Sequence, residues 1–149
     1  MFIRKARTLF TLDARTLRLY VEACFYLGYA RLQMLRPFAK VAPGLGVKTE
    51  ETPANCEAEQ IRTLRQITSA IHIASKYTPW DSKCLVRAIA AMKMLERRRL
   101  ASTLYLGTAK DEGGKLIAHA WLRSGPLYIS GADVMHQFTV IEKFANRAG

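Results

Sequence analysis

Two side chains in this 149-residue sequence have the types and settings that nucleophilic catalysis requires, Cys84 and His119. Cys84 follows Thr78, Asp81 and Ser82, each a residue type that caps helices. Leu85, Ala88/Ile89, Met92 and Leu95 then recur on one face and predict a helix over 82–99. A cysteine in the first turns of a helix meets unpaired N–H groups and the positive end of the dipole, which favour a thiolate. Lys83 adds positive potential. Taken alone, these residues fit a buried structural thiol equally well. Cys24, among apolar helix neighbours, and Cys56, at a loop edge, have no such setting.

His119 lies in a stretch, 116–123, whose alternation puts Ile117, His119 and Trp121 on one face and Ala118, Ala120 and Leu122 on the other. A neutral imidazole on a strand packed against the cysteine helix can act as general base. A satisfied core histidine is the plainer reading of the same pattern. His72 sits between Ile71 and Ile73, and His136 in a loop. A third group should orient the imidazole. Asp133 is the candidate, because pairing of 116–123 with 127–130 returns the residues after Ser130 to the 116–119 end. Asp111 and Glu112, in a turn nearer water, are weaker choices. Trp80 and Trp121 are candidate walls of a substrate cleft, with core packing the alternative for Trp80. No CxxC or HxxxH pair is present, so neither a metal nor a cofactor is expected.

The elements that must position these groups are legible as helices followed by strands. Apolar spacing predicts a helix from about Leu12 to Pro37, with Thr11 or Asp13 as cap and Pro37 as stop. Pro43-Gly44, Gly46 and Pro53 mark 41–56 as a linker or exposed loop. Ile61, Leu64, Ile67, Ile71 and Ala74 predict a helix over 57–75. Strands are expected at 103–108, 116–123 and 127–130, with turns at 111–114 and 124–126. Residues 139–145 suit either a strand or a capped helix. Helices first and an antiparallel meander after define an α+β fold. The expected division is a helical docking region and linker, 1–55, and a catalytic core, 56–149.

Several of these segments together resemble one family. They are Pro79-Trp80-Asp81-Ser82-Lys83-Cys84-Leu85-Val86-Arg87-Ala88, Thr103-Leu104-Tyr105-Leu106-Gly107, Ala118-His119-Ala120-Trp121 and Phe138-Thr139-Val140. They resemble the transglutaminase-like cysteine peptidases that mature lasso peptides, in the standalone leader-peptidase form of the B protein. The resemblance runs from about Pro79 to Phe144. It implies a papain/transglutaminase-like core, with Cys84 as nucleophile, His119 as general base and acid, and Asp133 as third residue. It implies leader removal from a ribosomal precursor, a separate leader-binding recognition-element protein, and an asparagine-synthetase-like cyclase. The same Cys-His chemistry would also serve an acyltransferase or transglutaminase. A non-catalytic basic module for nucleic acid or membrane is the alternative from another class.

Charge and composition narrow the partners. The formal charge is +11, with 23 Lys+Arg against 12 Asp+Glu. Residues 1–49 hold nine basic and two acidic side chains, whereas 100–149 hold five and four. A nucleic-acid reader more often carries basic residues through its reading element. The excess instead marks the N-terminal helix as a docking surface, with Arg15, Arg18 and Tyr26 as candidate contacts for an acidic partner, a leader or a membrane surface. Glu22 and Arg31 interrupt the most apolar run, which is shorter than the ~20 residues of a membrane span. Arg4, Lys5 and Arg7 begin no signal peptide, because Asp13, Arg15 and Arg18 break the apolar region that should follow. Three cysteines, odd in number and sparse, suit a reducing, cytoplasmic setting.

Overall fold

The computed structural model describes residues 14–80 and 82–148. Three long helices, α1 (Ala14–Gln33), α3 (Ala58–Tyr77) and α4 (Cys84–Arg97), precede most of the sheet. Between α1 and α3 lie a single turn, α2 (Phe38–Val41), a 3-10 turn (Ala42–Leu45) and a short strand, β1 (Val47–Lys48). Then come β2 (Ser102–Lys110), β3 (Leu116–Ser124), β4 (Leu127–Ser130), a second 3-10 turn (Ala132–Gln137) and β5 (Thr139–Asn146). The strands order as β1-β5-β2-β3-β4, and every neighbouring pair is antiparallel. This is the expected α+β core with an N-terminal helix. The caps proposed at Thr11 and Asp13 lie outside the described residues, as does Asp81.

Helix α4 is the centre of the molecule. Val86, Ala88, Ile89, Ala90, Ala91, Met92, Met94 and Leu95 are all buried, so the helix is apolar nearly all round. One side meets α1 and α3 through Ala23, Leu27, Ala30, Leu64, Ile67 and Ile71; the other meets Leu104, Leu122 and Phe144 of the sheet. Small alanines at Ala23 and Ala30 let α1 approach closely. Glu57 begins α3 in a reciprocal capping box with Gln60. The end of α4 is tied to α1 by a two-pronged contact. Arg98 Nη1 and Nη2 donate to the two carboxylate oxygens of Glu22, each over 2.7 Å. That hydrogen-bonded partner holds the Arg98 guanidinium above its usual range, against the opposing effect of burial. Arg98 is therefore a structural cation, while the more exposed Arg97 reaches the same Glu22 carboxylate at 3.6 Å.

Residues 41–56 are largely exposed, as their prolines and glycines predict, yet the segment is anchored at a few points. Leu45 and Thr52 are buried, and Val47–Lys48 pair with β5. Thr52 is held by a buried guanidinium on the sheet. Arg123 donates to the carbonyls of Thr52, Pro53 and Gly125 and to the Tyr105 hydroxyl. Thr52 N–H donates to Thr103 Oγ1 over 2.9 Å. Five donors in a fixed fork satisfy carbonyls that a loop would otherwise leave to water. The segment is strapped across the sheet face that α4 does not cover.

Residues 139–145 form a strand. Val140 pairs with Gly107, and β5 lies between β1 and β2 with a register shift at Leu106/Gly107. The expected three-stranded meander thus becomes the β2–β3–β4 half of a five-stranded sheet.

Candidate active site

Cys84 is the first residue of α4. Lys83 occupies the cap position in extended conformation and gives no side-chain cap hydrogen bond. Thr78 and Ser82, expected as caps, instead bond each other through their hydroxyls over 2.9 Å. The first N–H groups of a helix have no partner within it. The open amide end of α4 therefore stands at the thiol, with the Cys84 N–H among its donors. Cys84 is half-buried.

The other end of α4 is fixed to the sheet. Asn146 Nδ2 donates to Glu96 Oε2 over 2.9 Å, and Asn146 pairs with Ser102 at the start of β2. Running back along α4 covers about 20 Å at 1.5 Å per residue. That is the length of about six strand residues. Val140, Gly107 and His119 pair across β5, β2 and β3.

His119 is held on three sides. Its ring stacks on Phe138 at 5.0 Å between centroids and on Trp121 at 5.9 Å. Trp121 in turn stacks on Tyr105 at 5.7 Å. Such ring pairs contribute about 0.5–1.5 kcal/mol each beyond simple burial. Gly107 makes the arrangement feasible, because a Cβ there would lie 2.8 Å from the Trp121 ring. The third restraint is polar. His119 Nε2 lies 2.7 Å from the Gly131 carbonyl oxygen. A carbonyl only accepts, so Nε2 carries the proton and Nδ1 of the neutral ring keeps its lone pair.

The expectation that residues after Ser130 return to His119 is met by Gly131, through its backbone. Gly131 has a φ of 75°, in the left-handed region. A Cβ there would lie 2.5 Å from the Ala120 carbonyl oxygen. Asp133 follows in the 3-10 turn Ala132–Gln137; it is exposed and makes no hydrogen bond to His119.

The structure does not join the thiol and imidazole by a hydrogen bond. Ala120 and Leu122 turn toward α4 and the helical core, whereas His119 and Trp121 share the opposite face of β3. The alternation read from the sequence is correct, and it leaves the alanine side, not the histidine side, against the helix body. Trp121 is 4% exposed and serves as a packing ring beside the imidazole. Trp80 is half-buried, with its ring over Gly28 of α1. Arg15 and Arg18 are exposed on α1, and Tyr26 is half-buried with its ring edge-on to Phe25.

The other thiols have different surroundings. Burial pushes Cys24 above the usual thiol range. Cys56 lies against Gly125 in the β3–β4 turn. Among the described residues no group of three or more His, Cys, Asp or Glu could hold a metal ion.

The description Transglutaminase-like superfamily matches residues 26–143. The chain belongs to that superfamily, which generally contains cysteine peptidases and transglutaminases. No curated protein and no solved structure matches it. The matched region begins inside α1, in keeping with the core that α1 shares with α3 and α4.

Proposed function

We propose that the protein is a cysteine peptidase that removes the leader from a lasso-peptide precursor through an acyl-enzyme on Cys84. The observation that carries this reading is the placement of Cys84 as the first residue of the buried helix α4 within a transglutaminase-like chain. His119, with Nε2–H committed to Gly131 and Nδ1 left basic, supplies the second group. The W-x-S-x-C-L and A-H-A-W segments support the narrower assignment by resemblance.

The thiol and the imidazole are not bonded in the substrate-free structure, and the reading requires them to approach as substrate enters. His119 Nδ1 takes the thiol proton as Cys84 Sγ attacks the scissile carbonyl. The Cys84 N–H at the open helix end donates to the oxyanion. The imidazolium returns its proton to the leaving amine, and the acyl-enzyme forms. His119 then takes a proton from water, which attacks the thioester and restores the thiol. The Gly131 carbonyl keeps the ring oriented through both steps. Asp133 is the alternative orienting group, by resemblance. A separate leader-binding recognition-element protein presents the precursor, and an asparagine-synthetase-like cyclase consumes the freed core. The proposed compartment is the cytoplasm.

Mass spectrometry of the precursor incubated with its leader-binding protein and this enzyme tests the reading. One cut, with leader and core as products, is expected; Cys84→Ala and His119→Ala should each be folded and inactive. Cleavage retained in either variant overturns it. Transfer of the acyl group to an added amine in preference to water would move the protein to the acyltransferases.

A further inference from the structure

Helix α1 presents two apolar faces, and the fold uses one. Ala23, Leu27 and Ala30 are fully buried against α3 and α4. Leu17, Val21, Phe25, Tyr29, Leu32 and, just past the helix, Leu35 recur every three or four residues on the outside. Phe25 is 69% exposed, Leu32 65% and Leu35 75%. Single exposed apolar residues are ordinary, but a continuous run of them marks an interaction surface.

The charges beside this stripe select its occupant. Arg15, Arg18, Arg31, Arg36 and Lys40 are distributed along it, four of them exposed. Glu22 is the one carboxylate in residues 14–49, and it is spent on Arg98. The helix itself is thus apolar and positive, with no free carboxylate among residues 14–49; Glu59 of α3 lines the groove beside Arg15 and Arg18. A second copy would set arginines against arginines. A nucleic-acid backbone would meet the arginines and leave the leucines in water. A flat anionic lipid surface satisfies both sets, with apolar side chains at the headgroup–acyl boundary and guanidiniums at the phosphates. At 20 residues, α1 is about 30 Å long, and it lies along the surface because its other face is already buried. No described helix is long and apolar enough to cross a membrane.

We propose that α1 seats the protein on anionic phospholipid, with Phe25 and Leu32 entering the interface and Arg15 and Arg18 meeting lipid phosphates. The proposal does not depend on the peptidase reading, since it concerns the helix face turned away from the core.

Vesicle flotation of the purified full chain tests it, using phosphatidylcholine alone and phosphatidylcholine with phosphatidylglycerol. The chain should float with the anionic vesicles only, and less as salt is raised. Phe25→Ser with Leu32→Ser should abolish flotation while circular dichroism stays unchanged. Arg15→Glu with Arg18→Glu should weaken it by roughly tenfold or more, from about fivefold per lost surface cation. Absence of binding to anionic vesicles would give the stripe to a protein partner and overturn the proposal. So would equal binding to both vesicle types, or binding indifferent to the Phe25/Leu32 changes.

Discussion

His119 and Gly131 are joined by a hydrogen bond whose direction chemistry fixes, with the imidazole Nε2–H donating to the main-chain carbonyl over 2.7 Å. A backbone atom therefore does what a carboxylate does in the familiar three-residue site, holding the ring in one tautomer. It does so without a full negative charge. Orientation is retained, while stabilisation of the imidazolium is weaker than a carboxylate would give.

Paired substitutions separate the two candidates for this role. Asp133→Asn should leave the cleavage rate within about threefold of the parent, because the exposed carboxylate makes no bond to the ring. Gly131→Ala should lower it tenfold or more, since φ is 75° and the new Cβ would collide with the Ala120 carbonyl. Rates measured on folded variants decide the matter. A tenfold loss in Asp133→Asn would return the role to the carboxylate.

Thiol labelling should rank the three cysteines. At neutral pH Cys84, at the open end of α4, should react with iodoacetamide first, and Cys24 last. Burial raises the Cys24 thiol, so a smaller fraction of it is thiolate at any given pH, and its labelling should accelerate only at higher pH than for an ordinary thiol. Peptide mapping after timed alkylation reads the order. Equal rates at all three sites would remove the case for an activated nucleophile.

Arg123→Lys should cost stability despite conserving charge. The guanidinium donates to three carbonyls and a tyrosine hydroxyl from a residue only 7% exposed. An ammonium has three donors and a different reach, so at least one buried carbonyl loses its partner. A loss of about 1–3 kcal/mol is expected from an unpaired buried group. Urea unfolding measures it, and a midpoint unchanged from the parent would contradict the hold of Arg123 on Thr52 and Pro53.

Much of this architecture is legible in the chain. The β4 span is read correctly from its flanking Gly-Pro and Gly, and the α3 and α4 cores from their spacing. Cys84 at a helix start is legible for the same reason, since capping residues and periodicity are local signals. What was hidden is non-local. Residues 139–145 are settled as a strand by pairing with β2, more than thirty positions earlier, which no local pattern encodes. Residues 41–56 read as a loop and stay largely exposed; what no local pattern shows is that Arg123, seventy residues beyond Pro53, ties down Thr52 and Pro53. The Gly131 carbonyl was not visible either, because every residue has a carbonyl and only the turn decides which one meets a histidine. Its one sequence trace is the glycine itself, where the backbone needs positive φ.

The fork between Glu22 and Arg98 bears on how far this protein can be reduced in size. A fragment starting after the prolines near residue 53 would keep Cys84, His119 and the central strands. It would also strand a half-buried guanidinium without its counterion and uncover the flank of α4 that Leu27 shields. The first helix is thus a strut of α4 as well as an outward surface. A minimal version of this protein has to begin before Glu22, and a fusion partner joined to α1 would pull directly on the helix that starts with Cys84.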